Sequence, residues 1–335
     1  MPSPAPLPIT SPAHQAAGQL APNFADIQAA MTRLRRFGVP VTALLRRADL
    51  GNLIGGAVWL KAEHRQVTGS FKLRGALNFL LQLDSAQRRA GVITYSSGNF
   101  GIAVAFAGWS LGIPVTVVVP ADAPPSKLHK IKLMGASIVL ADRTSDNRAQ
   151  LARALAQEKG AVLLPFADQP QVIAGAGTIG LELWQQLQAD GDDHPTPDVL
   201  LVPCGGGGLT AGCAIAMKQL SPQTQVVAVE PEGLDDMKRS LAAGQIIAND
   251  PNARSICDAL LTRQPQPLTF QILQDHGVSA ITVADAAVRD AMAWCAEKLQ
   301  QVVEPGGAIA LAALLSNPKQ FHGQRVAILL TGANG

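Results

Sequence analysis

The sequence contains few charged and few aromatic residues. Of its 335 residues, 16% are charged and 4% are aromatic, and the formal net charge is only +2. The lysines and arginines are scattered along the chain, whereas nucleic-acid-binding proteins concentrate them on one surface or helix. The composition therefore argues against a nucleic-acid partner and favours a small molecule.

Cysteines and long apolar segments are also scarce. The four cysteines form neither a CxxC pair nor a dense framework, which is typical of reduced thiols in a cytosolic protein or of small core residues. The first residues lack the basic and apolar regions of a signal peptide, and no later stretch is apolar enough to span a bilayer. We therefore expect a cytoplasmic protein without a membrane partner.

Apolar residues and glycine, by contrast, are abundant and lie in short alternating segments. The sequence is 47% hydrophobic and contains 31 glycines, which suits an α/β enzyme with a large core. Short β-branched runs alternate with helical segments, a pattern that predicts mostly parallel sheets flanked by helices. The length favours two lobes, because single cores stop growing at about 250–300 residues.

The order of these segments predicts that one lobe is inserted into the other. The runs VITY, VTVVV and IVLA predict a small, self-sufficient parallel unit over residues 91–165. Residues 21–90, with the edge-like run VWLKAE, and residues 166–335 should form a large domain. Residues 1–20 are rich in Pro and Ala and predict a loose arm. We expect the functional site between the two lobes.

The most distinctive local pattern is PCGGGGLTAG, which follows the apolar strand VLLVP and precedes a helix. Four consecutive glycines let backbone amides turn inward, and a helix N-terminus favours a phosphate. The pattern lacks the Lys-Ser or Lys-Thr of a P-loop. It is compatible with dinucleotide binding, because Gly206, Gly208 and Ala211 fit GxGxxA and Glu230 ends the next strand. The residues alone leave the phosphate ligand open.

Two further motifs carry reactive or polar side chains. In TGSFKLRGA, burial of Lys72 beside Phe71 would lower the pKa of the amine and let it attack an aldehyde, although the lysine could instead be a surface charge. In YSSGNFG, a strand ends and a helix begins. The hydroxyls of Ser96 and Ser97, the amide of Asn99 and the local backbone suit a substrate carboxylate or a simple helix cap.

Together and in this order, these motifs resemble the fold type II pyridoxal-phosphate enzymes of the serine/threonine dehydratase and serine racemase family. The resemblance covers nearly the whole chain, with its first matching segment near Leu60, and the N-terminal arm lies outside it. It implies a two-lobed α/β fold of the tryptophan synthase β type, with the cofactor between the lobes, and a homodimer. The matching segments are KAE, TGSFKLRGAL, SSGNFG, VIAGAGTIGLE, VPCGGGGL, AVEPEG, VEPGGAIALAAL and TGANG.

The resemblance also implies roles for individual residues. Lys72 matches the lysine that forms a Schiff base with pyridoxal 5'-phosphate, and Phe71, which precedes it, is expected to contact the cofactor. Asn99 matches the ligand of the ring hydroxyl, and Thr331 the hydroxyl residue that faces the pyridine nitrogen, which favours elimination chemistry. The matching phosphate loop consists of Gly205, Gly206, Gly207, Gly208 and Leu209.

Further matches concern the substrate and a cation. The segment Ser96, Ser97, Gly98 and Asn99 matches the loop that binds the substrate carboxylate, and Ser97 also matches the residue that serves the opposite substrate face in racemases. The matching cation site, for Mg, Ca, Mn or a monovalent ion, is formed by Glu230, the carbonyl of Leu234 and Asp236. Capping of the following helix by Glu230 is the alternative.

Three positions bear on the substrate. Phe100 stands where many relatives have His, and Phe166 where some have Asn, so substrate preference cannot be transferred. Arg148 matches a position that binds a second carboxylate in some relatives, and an exposed helix charge is the alternative. If Arg148 does bind a carboxylate, 3-hydroxyaspartate becomes an attractive substrate.

The resulting prediction is a pyridoxal-phosphate-dependent dehydratase, an ammonia-lyase that converts a small β-hydroxy amino acid such as L-threonine or L-serine to a 2-oxo acid and ammonia. Serine racemase and 3-hydroxyaspartate dehydratase are the alternatives within the same chemistry. An NAD-dependent dehydrogenase that uses GxGxxA and Glu230 is the alternative from a different class, but it leaves Lys72 and SSGNFG unexplained. A catalytically inactive binding protein on the same fold would not need Lys72.

Overall fold

A computed structural model describes residues 20–96, 98–123, 125–141, 145–189 and 195–335 of the chain. Within these residues the strands form two sheets, one of six strands and one of four. Every described strand pair is parallel except the pair at one edge of the larger sheet. The fold class expected from the sequence, parallel sheets flanked by helices, is confirmed.

The six-stranded sheet is built from both ends of the chain. Its strands, in spatial order, are β1 (Leu44–Arg46), β2 (Ala57–Ala62), β10 (Arg325–Leu330), β7 (Val199–Pro203), β8 (Gln225–Pro231) and β9 (Ser279–Val283). The run VWLKAE, which we expected at an edge, forms β2 and is covered by the antiparallel β1. That prediction was wrong because β1, which is the edge strand, is only three residues long and has no strand pattern by which it could be recognised in the sequence.

The four-stranded sheet comes from the middle of the chain. Its spatial order is β5 (Ser137–Ala141), β4 (Val115–Pro120), β3 (Val92–Tyr95) and β6 (Val162–Leu163). These strands fall inside the range assigned to the inserted domain, whose boundaries stay a prediction. The predicted arm lies outside the described residues except for Leu20, which is exposed.

Helices cover both sheets, and none of those described is long and apolar enough to cross a membrane. They are α1 (Phe24–Phe37), α2 (Ala48–Ile54), α3 (Lys72–Leu80), α4 (Ser85–Ala90), α5 (Asn99–Leu111), α6 (Pro125–Leu133), α7 (Ser145–Lys159), α8 (Pro170–Ala189), α9 (Gly208–Leu220), α10 (Asp236–Ala243), α11 (Pro267–Asp275), α12 (Asp285–Trp294) and α13 (Pro305–Ser316). Local sequence explains both ends of α1, which begins with a capping box at Asn23 and ends at Gly38 in the left-handed conformation.

Alternating side chains of the large sheet enter two different cores. On β7, Leu200 and Val202 pack with α8 and α9, whereas Val199 and Leu201 pack with α12 and α13. Helix α3 packs both against α8 and against α5 of the smaller sheet. The segment before residue 91 was expected to pack with the later half of the chain. Helix α3 does so through α8, but it also packs against the smaller sheet and so joins the two sheets.

Candidate active site

The segments singled out in the sequence meet at the carboxyl ends of parallel strands. Ser96 follows β3, Gly205 follows β7 after one residue, and Thr331 follows β10 directly. Lys72 lies ten residues after the end of β2, at the first position of α3. Loops at the carboxyl ends of such strands are where α/β proteins bind their ligands.

The Lys72 side chain is half-buried. Its Nζ lies 4.5 Å from the centre of the Phe71 ring, and the side chain keeps only part of its surface accessible. Burial lowers the pKa of Lys72 to about 8, and the nearby carboxyl of Glu304 opposes this shift. Cys204 also lies close, but its own burial raises its pKa so far that it is a neutral thiol. Lys72 is therefore neutral in a substantial fraction of molecules near pH 8.

The start of α3 is attached to the last residues of the chain. The Phe71 amide donates to the Thr331 carbonyl at 3.1 Å, and Ser70 and Gly332 form an antiparallel bridge. These backbone contacts place Thr331 beside Lys72. The Thr331 hydroxyl is buried and is 3.4 Å from the Gly306 carbonyl, a long contact that leaves it available to a ligand. The Ser70 hydroxyl is fully buried and has no hydrogen-bond partner among the described residues.

Asn99 is fixed by two partners from distant parts of the chain. Its Nδ2 donates to Glu304 Oε1 at 2.5 Å, and its Oδ1 accepts from Asn334 Nδ2 at 3.0 Å. Asn334 Nδ2 donates in addition to the Thr68 carbonyl, four residues before Lys72. Because a side-chain amide carries two hydrogens, Asn99 keeps one donor for a ligand.

Glu304 is a buried carboxyl that the sequence analysis did not single out. It also accepts a hydrogen bond from the Asn334 amide at 2.9 Å. Burial raises the pKa of Glu304, while the bonds from Asn99 and Asn334 pull it in the opposite direction. Both Glu304 and Asn334 lie in segments that match the family, VEPGG and TGANG, but no local pattern indicated that they hold Asn99.

The glycine loop forms a narrow cradle between β7 and α9. A Cβ at Gly206 would lie 3.0 Å from Ala167 Cβ, and one at Gly207 would lie 2.8 Å from Thr269 Oγ1. Gly207 also has a φ of +87°, which favours glycine. The Thr269 hydroxyl donates to the Gly206 carbonyl at 2.7 Å and holds the loop in place.

Asp168 supports the same loop from the other side. Its Oδ1 accepts from the amides of Leu268 and Thr269 at 3.1 and 3.3 Å, at the N-terminus of α11. Burial raises the pKa of Asp168, and these two amides oppose that effect. Neither Asp168 nor Thr269 carried a recognisable sequence pattern, because their role depends on contacts about a hundred residues apart.

The loop expected to bind the substrate carboxylate is described in part. Ser97, the predicted racemase residue, lies outside the described residues. The Gly98 amide donates to Ser96 Oγ at 3.4 Å, and the space next to the Gly98 Cα is open. Phe100 is buried in the core of the smaller sheet, and the Phe166 ring contacts Tyr95 edge to face.

The predicted cation site has buried carboxyls that are already occupied by protein donors. Glu230 accepts from the Met237 and Lys238 amides at 2.9 and 2.8 Å, so the alternative of helix capping holds. Asp236 accepts from Asn249 Nδ2 at 2.7 Å. Burial raises the pKa of Glu230 to about 8 and that of Asp236 to about 6. No group of three or more His, Cys, Asp or Glu side chains suited to a metal occurs in the described ranges, and the cation site, including Leu234, stays a prediction.

A buried charge network lies behind the lysine. Arg74 donates to both carboxylate oxygens of Glu63, at 2.8 and 2.7 Å, and to both of Glu182, at 3.0 and 2.8 Å. Lys61 Nζ contacts Glu182 Oε1 at 2.6 Å and the Thr42 carbonyl at 2.8 Å. Burial opposes ionisation of Glu182, but Arg74 and Lys61 outweigh it and lower the pKa. The network ties the first turn of α3, and so Lys72, to β2 and α8.

These residues fit pyridoxal phosphate. The backbone cradle takes a phosphate, Lys72 supplies a partly neutral amine, and Asn99 and the hydroxyls of Ser70 and Thr331 offer polar contacts to a ring. When bound, the cofactor supplies an aldehyde for the lysine and an electron-withdrawing ring for the substrate.

Comparison with known proteins agrees with this geometry. A profile of the family described as "Pyridoxal-phosphate dependent enzyme" matches residues 36–332, and the chain belongs to this family. It is similar to L-threo-3-hydroxyaspartate ammonia-lyase of Pseudomonas sp., with 39% identity over 312 residues, 93% of this chain and 95% of the relative.

Two solved structures are also similar. The structure of maize serine racemase has a TM-score of 0.88 and 36% identity, and each chain is covered to 94%. The crystal structure of the threonine deaminase of T.th. has a TM-score of 0.87 and 42% identity, covering 94% of this chain and 99% of that one. Pyridoxal phosphate is therefore confirmed as the cofactor, and the dinucleotide interpretation of the glycine loop was wrong. The protein is an enzyme of the ammonia-lyase and racemase group acting on a small amino acid.

Proposed function

We propose that this enzyme is an ammonia-lyase that eliminates the β-hydroxyl of 3-hydroxyaspartate, giving a 2-oxo acid and ammonia, and that it prefers this dicarboxylate to serine and threonine. The observation that carries the choice is Arg148. Its side chain is half-buried, and its Nε is buried without a hydrogen-bond partner among the described residues. An unpaired buried guanidinium nitrogen is costly, and a ligand carboxylate would satisfy it.

The position of Arg148 in the fold supports this role. It lies in the first turn of α7, which follows β5 at the carboxyl edge of the four-stranded sheet and packs on β3. Ser96 follows β3 at the same edge of the sheet, and β3 lies two strands away from β5, a separation of about 10 Å. A long arginine side chain and a short dicarboxylate can span most of that distance.

Each part of the site then has one task. The loop from Ser96 to Asn99 binds the α-carboxylate, and Arg148 binds the carboxylate on the β-carbon. Lys72, which is neutral in part near pH 8, takes the α-proton at its Nζ. Glu304 and Asn334 keep Asn99 oriented. The Pseudomonas relative, an L-threo-3-hydroxyaspartate ammonia-lyase, lends support to this choice of substrate.

Substrate competition tests the proposal. We expect the wild-type kcat/KM to be highest for one stereoisomer of 3-hydroxyaspartate, with serine and threonine lower. Arg148→Met should lower kcat/KM for the dicarboxylate about 10- to 100-fold, since it removes a charge-assisted hydrogen bond, and should leave serine nearly unchanged. Arg153→Met is the matched control, because Arg153 is an exposed arginine on the same helix.

Two results would refute this substrate choice. One is a wild-type preference for serine or threonine, and the other is an equal effect of Arg148→Met on all three substrates. The products should also be separated by chirality, because formation of D-serine from L-serine would favour the racemase alternative and a role for Ser97. A homodimer and a cytoplasmic location remain part of the proposal, and sedimentation and cell fractionation test them.

A further inference from the structure

Two lysines of α6, a helix that packs with the smaller sheet, contact residues in segments that pack with the larger sheet. Helix α6 packs on α5 and β5, and Ile131 is buried in the core of the four-stranded sheet. Lys127 Nζ lies 2.5 Å from Asp258 Oδ2, and Lys130 Nζ donates to Asn334 Oδ1 at 3.0 Å. Both acceptors belong to segments that pack with the six-stranded sheet.

Both contacts end at the cofactor cleft. Asn334 is the residue that also holds Asn99. Asp258 begins a short 3-10 helix whose last residue, Leu260, would touch a Cβ added at Gly205 of the phosphate cradle, at 3.2 Å. Burial raises the pKa of Glu304, and the charge of Lys127 is close enough to oppose that shift. Helix α6 therefore lies beside the cofactor cleft. It packs on the smaller sheet and is joined by Lys127 and Lys130 to segments that pack with the larger sheet.

We propose that Lys127 and Asp258 are a positioning pair that clasps α6 over the cofactor cleft and shields Lys72 from solvent and solutes. Lys130 and Asn334 support the clasp. The inference depends on the cofactor and on the family, but not on which substrate the enzyme prefers. The lysine–cofactor linkage becomes more accessible whenever the clasp opens.

The exposure of the pair sets the size of the expected effect. The Lys127 side chain is 18% exposed and that of Asp258 is 48% exposed. An ion pair this exposed adds little to the stability of the whole fold, so its loss leaves the protein folded. Its loss should still shift an open-to-closed equilibrium about two- to fivefold. Salt should produce a similar shift in the wild type, because exposed charges are screened.

The test measures access to Lys72 without turnover. Wild-type holoenzyme and its variants are treated with cyanoborohydride in the absence of substrate, and loss of the cofactor absorption band gives the rate of reduction. Lys127→Met and Asp258→Ala should each react about two- to fivefold faster, and the double variant no faster than either one. The exchanged pair Lys127→Asp with Asp258→Lys should restore the wild-type rate. Lys132→Met, an exposed lysine of the same helix, is the matched control and should behave as wild type.

Turnover supplies a second readout. Variants that open the clasp should lower kcat by a similar factor and change KM less, because a closed cleft is needed during the reaction. The wild-type reduction rate should rise with sodium chloride, and the rate of Lys127→Met should not. Equal reduction rates in wild type and Lys127→Met, or a rise of the same size in Lys132→Met, would overturn the clasp. Neither result would bear on the choice of substrate.

Discussion

The cradle formed by the glycine loop gives a quantitative prediction for Gly207→Ala. With a φ of +87°, alanine at this position incurs left-handed strain of about 1–2 kcal/mol. Its Cβ would also lie 2.8 Å from Thr269 Oγ1 and 2.9 Å from Met237 Cε. Moving the threonine breaks its hydrogen bond to the Gly206 carbonyl, which costs about 1 kcal/mol more. We expect a total loss of about 2–3 kcal/mol in the free energy of unfolding.

Gly38→Ala separates strain from steric conflict. Gly38 ends α1 with a φ of +91°, and nothing lies within 4 Å of an added Cβ. It should therefore lose only the strain contribution of about 1–2 kcal/mol. Urea unfolding of both apoproteins measures this difference. Titration with pyridoxal phosphate measures the second effect, a loss of affinity of at least about tenfold in Gly207→Ala and no change in Gly38→Ala.

The prediction fails if the two variants lose the same stability and bind pyridoxal phosphate as tightly as the wild type. In that case the loop would be neither tightly packed nor the phosphate site. A loss of stability in Gly207→Ala with unchanged cofactor affinity would keep the packing argument but move the phosphate elsewhere.

Two further predictions concern buried charges. Glu182→Gln removes a charge that Arg74 and Lys61 share, and it should lower the free energy of unfolding in urea by about 3–5 kcal/mol. Glu297→Gln is the control, because the Glu297 side chain is 72% exposed in its ion pair, and it should lower this free energy by under about 1 kcal/mol. Equal losses in the two variants would contradict the network. The pKa of Lys72 is about 8 in the folded protein, against 10.5 for an ordinary lysine, so the unfolded chain binds more protons between these two pH values. The difference in the free energy of unfolding between the wild-type apoprotein and Lys72→Met should therefore rise with pH across that window. A difference that falls with pH would contradict the burial of the amine.

The parts of the site that could be predicted from the sequence are those set by local backbone requirements. Four glycines between a strand and a helix need no distant partner to indicate an anion cradle, and the residues around Lys72 and Asn99 matched a known family. The alternation of short apolar runs likewise predicted parallel sheets. The three-residue β1 was missed because its pattern is too short to be distinguished from a loop.

The supporting residues could not be predicted because they act through contacts between distant segments. Glu304 and Asn99 are hydrogen-bonded although they lie 205 positions apart in the sequence. Asp168 and its hydrogen-bond partner Leu268 in α11 lie 100 positions apart. The buried network did leave a signal, since Glu63, Arg74 and Glu182 are charges that lie among apolar residues, in VWLKAE, KLRGAL and TIGLELW. A charge in such a segment needs a partner, but the sequence does not identify which one.

The central claim is that Lys72 carries the cofactor, and borohydride reduction followed by peptide mass spectrometry tests it most directly. Reduction fixes a pyridoxyl group on the lysine that was bound, and we predict that the group is found on Lys72. Lys61 is the sharpest comparison, because it is fully buried and is held in its ion pair with Glu182. A pyridoxyl group on Lys61 or on any other lysine, or none after reconstitution with pyridoxal phosphate, would contradict the account.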